Sequence, residues 1–139
     1  MTRLDTEVVI EVPFFDVDVM EVVWHGHYVK YFEIARCALL REIDYDYPKM
    51  RASGYAWPVV ECYLKYVRSA RYGQRLTLRA HLKEYENRLK IEYEIADAES
   101  GERLTKGYTV QVAVDLRNGE LQFVSPPCLI ERMEKPCAD

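Results

Sequence analysis

The alternation of apolar and polar residues predicts one early helix followed by a series of strands. Residues 7–13 alternate and predict a strand that ends at Pro13. Over residues 27–43, apolar side chains recur at spacings of three and four, which is typical of a largely buried amphipathic helix. Four later segments alternate as strands do: 59–68, 75–83, 89–95 and 104–116.

Short connections predict how these strands pair. Turn-forming dipeptides such as Tyr72-Gly73 and Asn118-Gly119 bound the segments, and connections this short imply hairpins. Residues 44–55 predict a loop with a short helical turn, and Pro126-Pro127 can open a short helix that runs through Met133. The expected fold is α+β: a curved, mostly antiparallel sheet of about five strands around one long central helix, in a single domain spanning residues 1–139.

Composition narrows the class of protein. The chain has 139 residues, 49% of them hydrophobic, with a net charge of −4 and a pI near 5.5, so it lacks the basic character of a nucleic-acid-binding protein. It has no apolar run approaching the roughly 18 residues of a membrane span, and its N-terminus lacks a signal-peptide core. The four cysteines show no metal-binding spacing, and we expect reduced, mostly buried thiols in the cytoplasm: Cys37, Cys62, Cys128 and Cys137.

Residues 14–36 concentrate the candidate chemistry. They place an acidic loop, a His-Gly-His turn and the start of the helix close together. A carboxylate such as Asp18, just before a helix N-terminus, suits acyl transfer, because it can attack or activate water while the helix end holds an oxyanion. On these grounds alone, a turn-forming role for Asp18 is as plausible as a catalytic one. His25 and His27 lack a suitably spaced third metal ligand, so we expect no metal and no cofactor.

The same stretch resembles a known signature. Asp16-Val17-Asp18, Val22-Val23-Trp24-His25-Gly26 and Tyr28 are similar to the motif of hotdog-fold acyl-CoA thioesterases of the 4-hydroxybenzoyl-CoA thioesterase type. The resemblance implies that Asp18 is the nucleophile or general base and that the backbone N–H of His25 donates to the oxyanion. It also implies that Gly26, at the helix N-terminus, lets the backbone approach the thioester closely.

Two letters of the motif differ from the family pattern. The family usually has Gly where this chain has Glu21, and Asn where it has His27. We expect Glu21 and His27, together with Trp24 and Tyr28, to contact substrate. Asp16 is expected to cap the turn.

The family likeness also suggests where coenzyme A binds. It implies that the nucleotide lies on the surface between subunits and meets scattered basic groups, for which the candidates by charge alone are Arg68, Arg71, Arg75 and Arg88. An exposed sheet edge favours pairing between copies, so a homodimer or homotetramer is expected, with the substrate pocket where two subunits meet.

The resulting functional expectation is an acyl-CoA thioesterase that hydrolyses a fatty or aromatic acyl thioester. The nearest alternative is a thioesterase acting on acyl carrier protein in a fatty-acid or polyketide pathway. A hotdog dehydratase is disfavoured, because Asp18 and His25 share one short loop and the hydratase motif D-x-N-P-h-H is missing. Glu21 leaves open a non-catalytic acyl-binding protein.

Overall fold

The structure is a computed structural model that describes residues 4–134. It contains strands, helices and one 3-10 turn, in the order β1 (Asp5–Glu11), 3-10 turn (Phe14–Asp16), α1 (His27–Glu42), α2 (Tyr47–Ala52), β2 (Tyr55–Ala56), β3 (Val59–Tyr66), β4 (Arg75–Glu84), β5 (Leu89–Asp97), β6 (Arg103–Gln111), β7 (Val114–Asp115) and α3 (Pro127–Glu134).

The main sheet has five antiparallel strands in the order β1-β4-β5-β6-β3, which confirms the expected mixed fold with a mostly antiparallel sheet. The prediction of one strand over residues 104–116 is wrong, because β6 ends at Gln111 and the chain then forms β7, which pairs with β2. At the end of β6, the Gln111 side chain donates to the Trp57 carbonyl oxygen at 2.8 Å, and this contact ties the strand end to the segment before β3.

Helix α1 packs mainly on β1 and β4. Its buried side chains follow the predicted apolar spacing: Tyr28, Tyr31, Phe32, Ala35, Leu39 and Leu40. The Phe32 ring stacks on the Tyr93 ring of β5, with centroids 4.4 Å apart. This helix begins where the candidate chemistry lies, so its packing fixes the position of its N-terminus.

Strand β3 forms one edge of the sheet and is exposed along most of its length. Its exposed apolar side chains include Val59, Val60, Tyr63 and Tyr66. Helix α1 packs mainly on β1 and β4, away from β3. The edge strand β3 therefore keeps both an unpaired backbone and an apolar surface.

The thiols are less buried than expected. Cys37 and Cys62 are exposed, so the prediction of mostly buried thiols is wrong for these two, while Cys128 is half-buried. Cys137 lies outside the described residues. Between residues 4 and 134, no helix has both the length and the apolar character needed to cross a membrane.

Candidate functional site

The loop between β1 and α1 folds back on itself as a small hairpin. Val17 and Val23 form an antiparallel bridge, and the Asp18 N–H donates to the Val22 carbonyl oxygen at 2.9 Å. The Glu21 N–H donates to the Asp18 carbonyl oxygen at 2.9 Å, which closes a tight turn. This hairpin brings Asp18 back towards the start of α1.

The Asp18 carboxylate is half-buried and only partly engaged. Its Oδ1 accepts the Met20 N–H at 2.9 Å, and within residues 4–134 no donor pairs with Oδ2. Its charge acts on Tyr28 in the first turn of α1. Burial raises the pKa of Tyr28, the charges of Tyr66 and Asp18 raise it further, and the hydrogen bond from Ala70 lowers it. Asp18 therefore has a free oxygen and lies near the helix start.

The N-terminus of α1 has unused hydrogen-bond donors. Gly26 is the N-cap residue, and no side chain caps the helix. In the part of the chain that the structure describes, the backbone N–H groups of His25 and Gly26 have no hydrogen-bond partner. The Gly26 N–H belongs to the positive end of the helix dipole, and the His25 N–H lies one residue before it. The turn can therefore accept a negatively charged oxygen.

Tyr66, at the end of β3, fixes this turn. Its hydroxyl donates to the His25 carbonyl oxygen at 3.0 Å, and its ring meets the rings of His25 and Tyr28 edge-on. Tyr66 is not among the residues predicted from the sequence, because it lies 41 residues from His25 and no local pattern connects the two.

Gly26 makes room for an indole ring. Its φ of −69° is accessible to any residue, but a Cβ at this position would overlap the ring of Trp24. Trp24 is 48% exposed and lies against both His25 and His27, with ring centroids 5.1 and 5.3 Å apart. The expected close approach of the Gly26 backbone to a thioester stays a prediction, as do the substrate contacts of Trp24 and His27.

Tyr28 lies deeper than these residues. It is 2% exposed, and its hydroxyl accepts the Ala70 N–H at 3.0 Å. It therefore supports the site from the core side, and its expected contact with substrate stays a prediction.

Glu21 occupies a strained position. Its φ is +65°, in the left-handed region that glycine adopts without strain. A glycine at this point of the motif would adopt the same turn without strain, since the turn demands a positive φ. Because the Glu21 side chain is exposed, its expected role in substrate binding stays a prediction.

Asp16 does more than cap a turn. It is 1% exposed, and its carboxylate accepts hydrogen bonds from Lys30 Nζ at 2.5 Å and from the Tyr31 hydroxyl at 2.7 Å. His27 Nε2 lies 3.9 Å from the same carboxylate. Burial raises the pKa of Asp16, but hydrogen bonds from Lys30 and Tyr31 and the charges of Lys30 and His27 outweigh it, so the pKa is lowered overall.

Lys30 and Tyr31 were missed in the sequence analysis. The signal that could have found them is geometric: helical side chains lean towards the helix N-terminus, so residues of the second turn reach back to the preceding loop.

Three of the four candidate arginines share one groove. Arg68, Arg71 and Arg75 line a groove of about 780 Å³ that also includes Val22 of the hairpin. Four carboxylates line the same groove: Glu11, Asp97, Glu99 and Glu102. Arg68 pairs with Glu102 at 3.2 Å. Arg88 lies elsewhere, where it pairs with Glu84 and Glu61. Across residues 4–134, no group of three or more His, Cys, Asp or Glu side chains could hold a metal ion.

Comparison with known proteins assigns the family. Residues 12–135 match the thioesterase-like superfamily. The chain belongs to this superfamily. Membership confirms the expectation of a thioester hydrolase with the hotdog fold.

Individual relatives agree with this assignment. The chain is 32% identical over 130 residues to sll0410 of Synechocystis, which is named as a candidate esterase, and the match covers 93% of this chain and 78% of that protein. The DHNA-CoA thioesterase of Staphylococcus aureus superimposes with a TM-score of 0.75 at 26% identity, over 87% of this chain and 80% of that one. A 4-hydroxybenzoyl-CoA thioesterase mutant bound to 4-hydroxybenzoyl-CoA shares the fold, with a TM-score of 0.80 at 17% identity over 94% and 99% of the two chains.

Proposed function

We propose that this protein is an acyl-CoA thioesterase, of the 4-hydroxybenzoyl-CoA thioesterase type, that hydrolyses a fatty or aromatic acyl thioester to the free acid and CoA. The observation that carries the proposal is the pairing of a half-free carboxylate, Asp18, with the unpartnered N–H groups of His25 and Gly26 at the start of α1. A thioesterase needs both a group that attacks or activates water and donors for the oxyanion.

In the proposed reaction the thioester carbonyl lies between these two groups. The oxyanion that develops on the carbonyl oxygen accepts hydrogen bonds from the N–H groups at His25 and Gly26, and each donor contributes about 3 kcal/mol to the transition state. Asp18 either attacks the carbonyl carbon, to give a mixed anhydride that water cleaves, or takes a proton from the attacking water. Both routes need the free Oδ2 of Asp18. The thiolate of CoA leaves and is protonated.

The surroundings suggest how substrate is held. The exposed ring of Trp24 offers an apolar face for an acyl group, with His27 beside it. The groove that holds Arg68, Arg71 and Arg75 begins beside Val22 and also contains four carboxylates, so phosphates of CoA would bind to individual arginines there and not to a net positive surface. The DHNA-CoA and 4-hydroxybenzoyl-CoA thioesterases that share the fold carry aromatic acyl groups in their names, which supports testing aromatic substrates first.

Assembly is the second part of the proposal. The edge strand β3 has an unpaired backbone and an apolar surface, and a second copy of the chain would cover both. We place the site at this junction, in a homodimer or in a homotetramer of two dimers. The exposed free thiols Cys37 and Cys62 fit a reducing compartment such as the cytoplasm.

The test is replacement of Asp18 by Asn, read by release of free thiol from a panel of benzoyl, hydroxybenzoyl and fatty acyl-CoA substrates. We expect kcat to fall by about 10²–10⁴-fold while the fold is kept. Asp44→Asn is the matched control: Asp44 is exposed, with a φ of +55° that Asn tolerates, and it should keep full activity. Hydrolysis at the wild-type rate in the Asp18 variant would refute the proposal.

Thioesters of acyl carrier protein are the alternative substrate, and the same thiol assay should include them. The groove beside Val22 offers three arginines to an acidic carrier protein, but its four carboxylates oppose such docking. A kcat/KM at least tenfold higher for carrier than for CoA thioesters would assign the enzyme to carrier proteins. The Asp18 variant also distinguishes an enzyme from a non-catalytic acyl-binding protein. An enzyme should lose turnover, whereas a binding protein should keep its affinity for the ligand.

A further inference from the structure

We propose that Asp16 and Lys30 form a positioning pair that holds the Asp18 hairpin at a fixed place relative to the N-terminus of α1. The inference rests on the proposed function, because it assigns a role in the same reaction to two residues that do not touch substrate. Neither residue belongs to the expected catalytic set.

Asp16 joins the hairpin to α1. Its carboxylate is buried and bonded to Lys30 and Tyr31 in the second turn of α1. Its carbonyl oxygen accepts the Trp24 N–H at 3.0 Å, at the other end of the hairpin. One residue therefore connects the start of the hairpin, the end of the hairpin and the helix.

The contacts of Asp16 are the direct side-chain hydrogen bonds between this loop and α1, since those of Asp18 stay within the hairpin. A second tie is indirect: the Val23 N–H donates to the Ala70 carbonyl oxygen at 2.8 Å, and the Ala70 N–H donates to the Tyr28 hydroxyl at 3.0 Å. The distance between the Asp18 carboxylate and the free N–H groups at the helix start therefore depends in part on the contacts of Asp16. A displacement of about 1 Å between reacting groups can lower a rate about 100-fold.

The charges around Asp16 support this pairing. Of the described residues, the charged and titratable groups placed against Asp16 are Lys30, Tyr31 and His27, all on α1. Without the Lys30 ammonium, the buried carboxylate would retain only the Tyr31 hydroxyl as a hydrogen-bond partner.

The main experiment compares Lys30→Met with Lys30→Arg in the full-length protein. Lys30→Met should lower kcat by about 10–100-fold with KM within threefold, because the geometry of reaction changes and substrate contacts do not. Lys30→Arg keeps the cation and should restore most of the rate. Lys30 is 42% exposed at its side chain, so its variants should fold even if Asp16→Asn does not.

Rescue by Lys30→Arg separates positioning from mere stability. A general loss of stability would lower the melting temperature, whereas a positioning role lowers kcat in protein that is still folded, and Lys30→Arg restores it. Asp115→Asn is the matched control, since Asp115, at the end of β7, is 5% exposed and pairs with Arg117. This variant should keep wild-type kinetic constants.

Each outcome decides the inference. Wild-type kcat in Lys30→Met, or equal losses in Lys30→Met and Lys30→Arg, would overturn the positioning role. Asp18→Asn is measured in the same assay and tests the proposed function separately. If the proposed function fails, Asp18→Asn remains active; if only the positioning role fails, Asp18→Asn is inactive while Lys30→Met remains active.

Discussion

Gly107 should be among the least replaceable residues of the sheet. It lies in β6 between Leu64 of β3 and Tyr93 of β5. A Cβ at this position would overlap the backbone carbonyl oxygen of Tyr63 and come within 2.9 Å of the Phe32 ring. Neither neighbour can move freely, because one belongs to the backbone of a paired strand and the other is 1% exposed and stacked on Tyr93.

The expected cost of Gly107→Ala follows from these contacts. Overpacking a well-packed core typically costs about 1–3 kcal/mol, and a clash with backbone belongs at the upper end, so we expect about 3 kcal/mol. For a chain of this length that lowers the melting temperature by roughly 10 °C. The Tyr63 carbonyl must shift, which moves β3 and with it Tyr66, whose hydroxyl holds the His25 carbonyl. The variant should therefore also lose thioesterase activity before it unfolds.

The assay is urea and thermal unfolding followed by circular dichroism, with Gly101→Ala as the control. Gly101 has a φ of +78° and open space around it, so its replacement costs only the backbone strain, about 1–2 kcal/mol. Gly101→Ala removes a glycine without a steric overlap, so a larger loss of stability in Gly107→Ala reports the overlap with Tyr63 and Phe32. A Gly107 variant no less stable than the Gly101 variant would refute the reasoning.

The remaining predictions concern the site loop and the core. Glu21→Gly should change stability by less than about 0.5 kcal/mol, because relief of strain offsets the greater freedom of the unfolded chain; a loss above 1 kcal/mol in urea unfolding would contradict this. Gly26→Ala should displace the Trp24 ring and alter its fluorescence, with Trp24→Phe as the blank, while the free energy of unfolding changes by less than about 1 kcal/mol. Burial and the Cys128 contact raise the pKa of Tyr45 from its ordinary 10 to about 12. That contribution to stability is present below pH 10 and lost as the pH rises through 12, so Tyr45→Phe should flatten the alkaline fall in melting temperature.

The sequence by itself determined the elements and the location of the chemistry. Apolar spacing over residues 27–43 predicted α1, which runs from His27 to Glu42, and alternation predicted β4 and β5 to within two residues of their observed ends. The motif around Asp18 placed the candidate site before that helix. These features are local: the spacing of apolar residues and the choice of turn residues depend on neighbouring positions, so a single sequence is enough to find them.

Only the tertiary structure decided which distant residues complete the site. The hydroxyl of Tyr66 reaches the His25 carbonyl, the ammonium of Lys30 reaches Asp16, and Gly107 leaves space for Phe32. The side chain of Gln111, at the end of β6, likewise reaches the carbonyl oxygen of Trp57, 54 residues away. Each of these contacts joins residues that the fold brings together, and their energies come from burial and hydrogen bonding in the packed state. Periodicity along the chain carries no information about them, which is why Asp16 looked like a turn residue until its partners on α1 were visible.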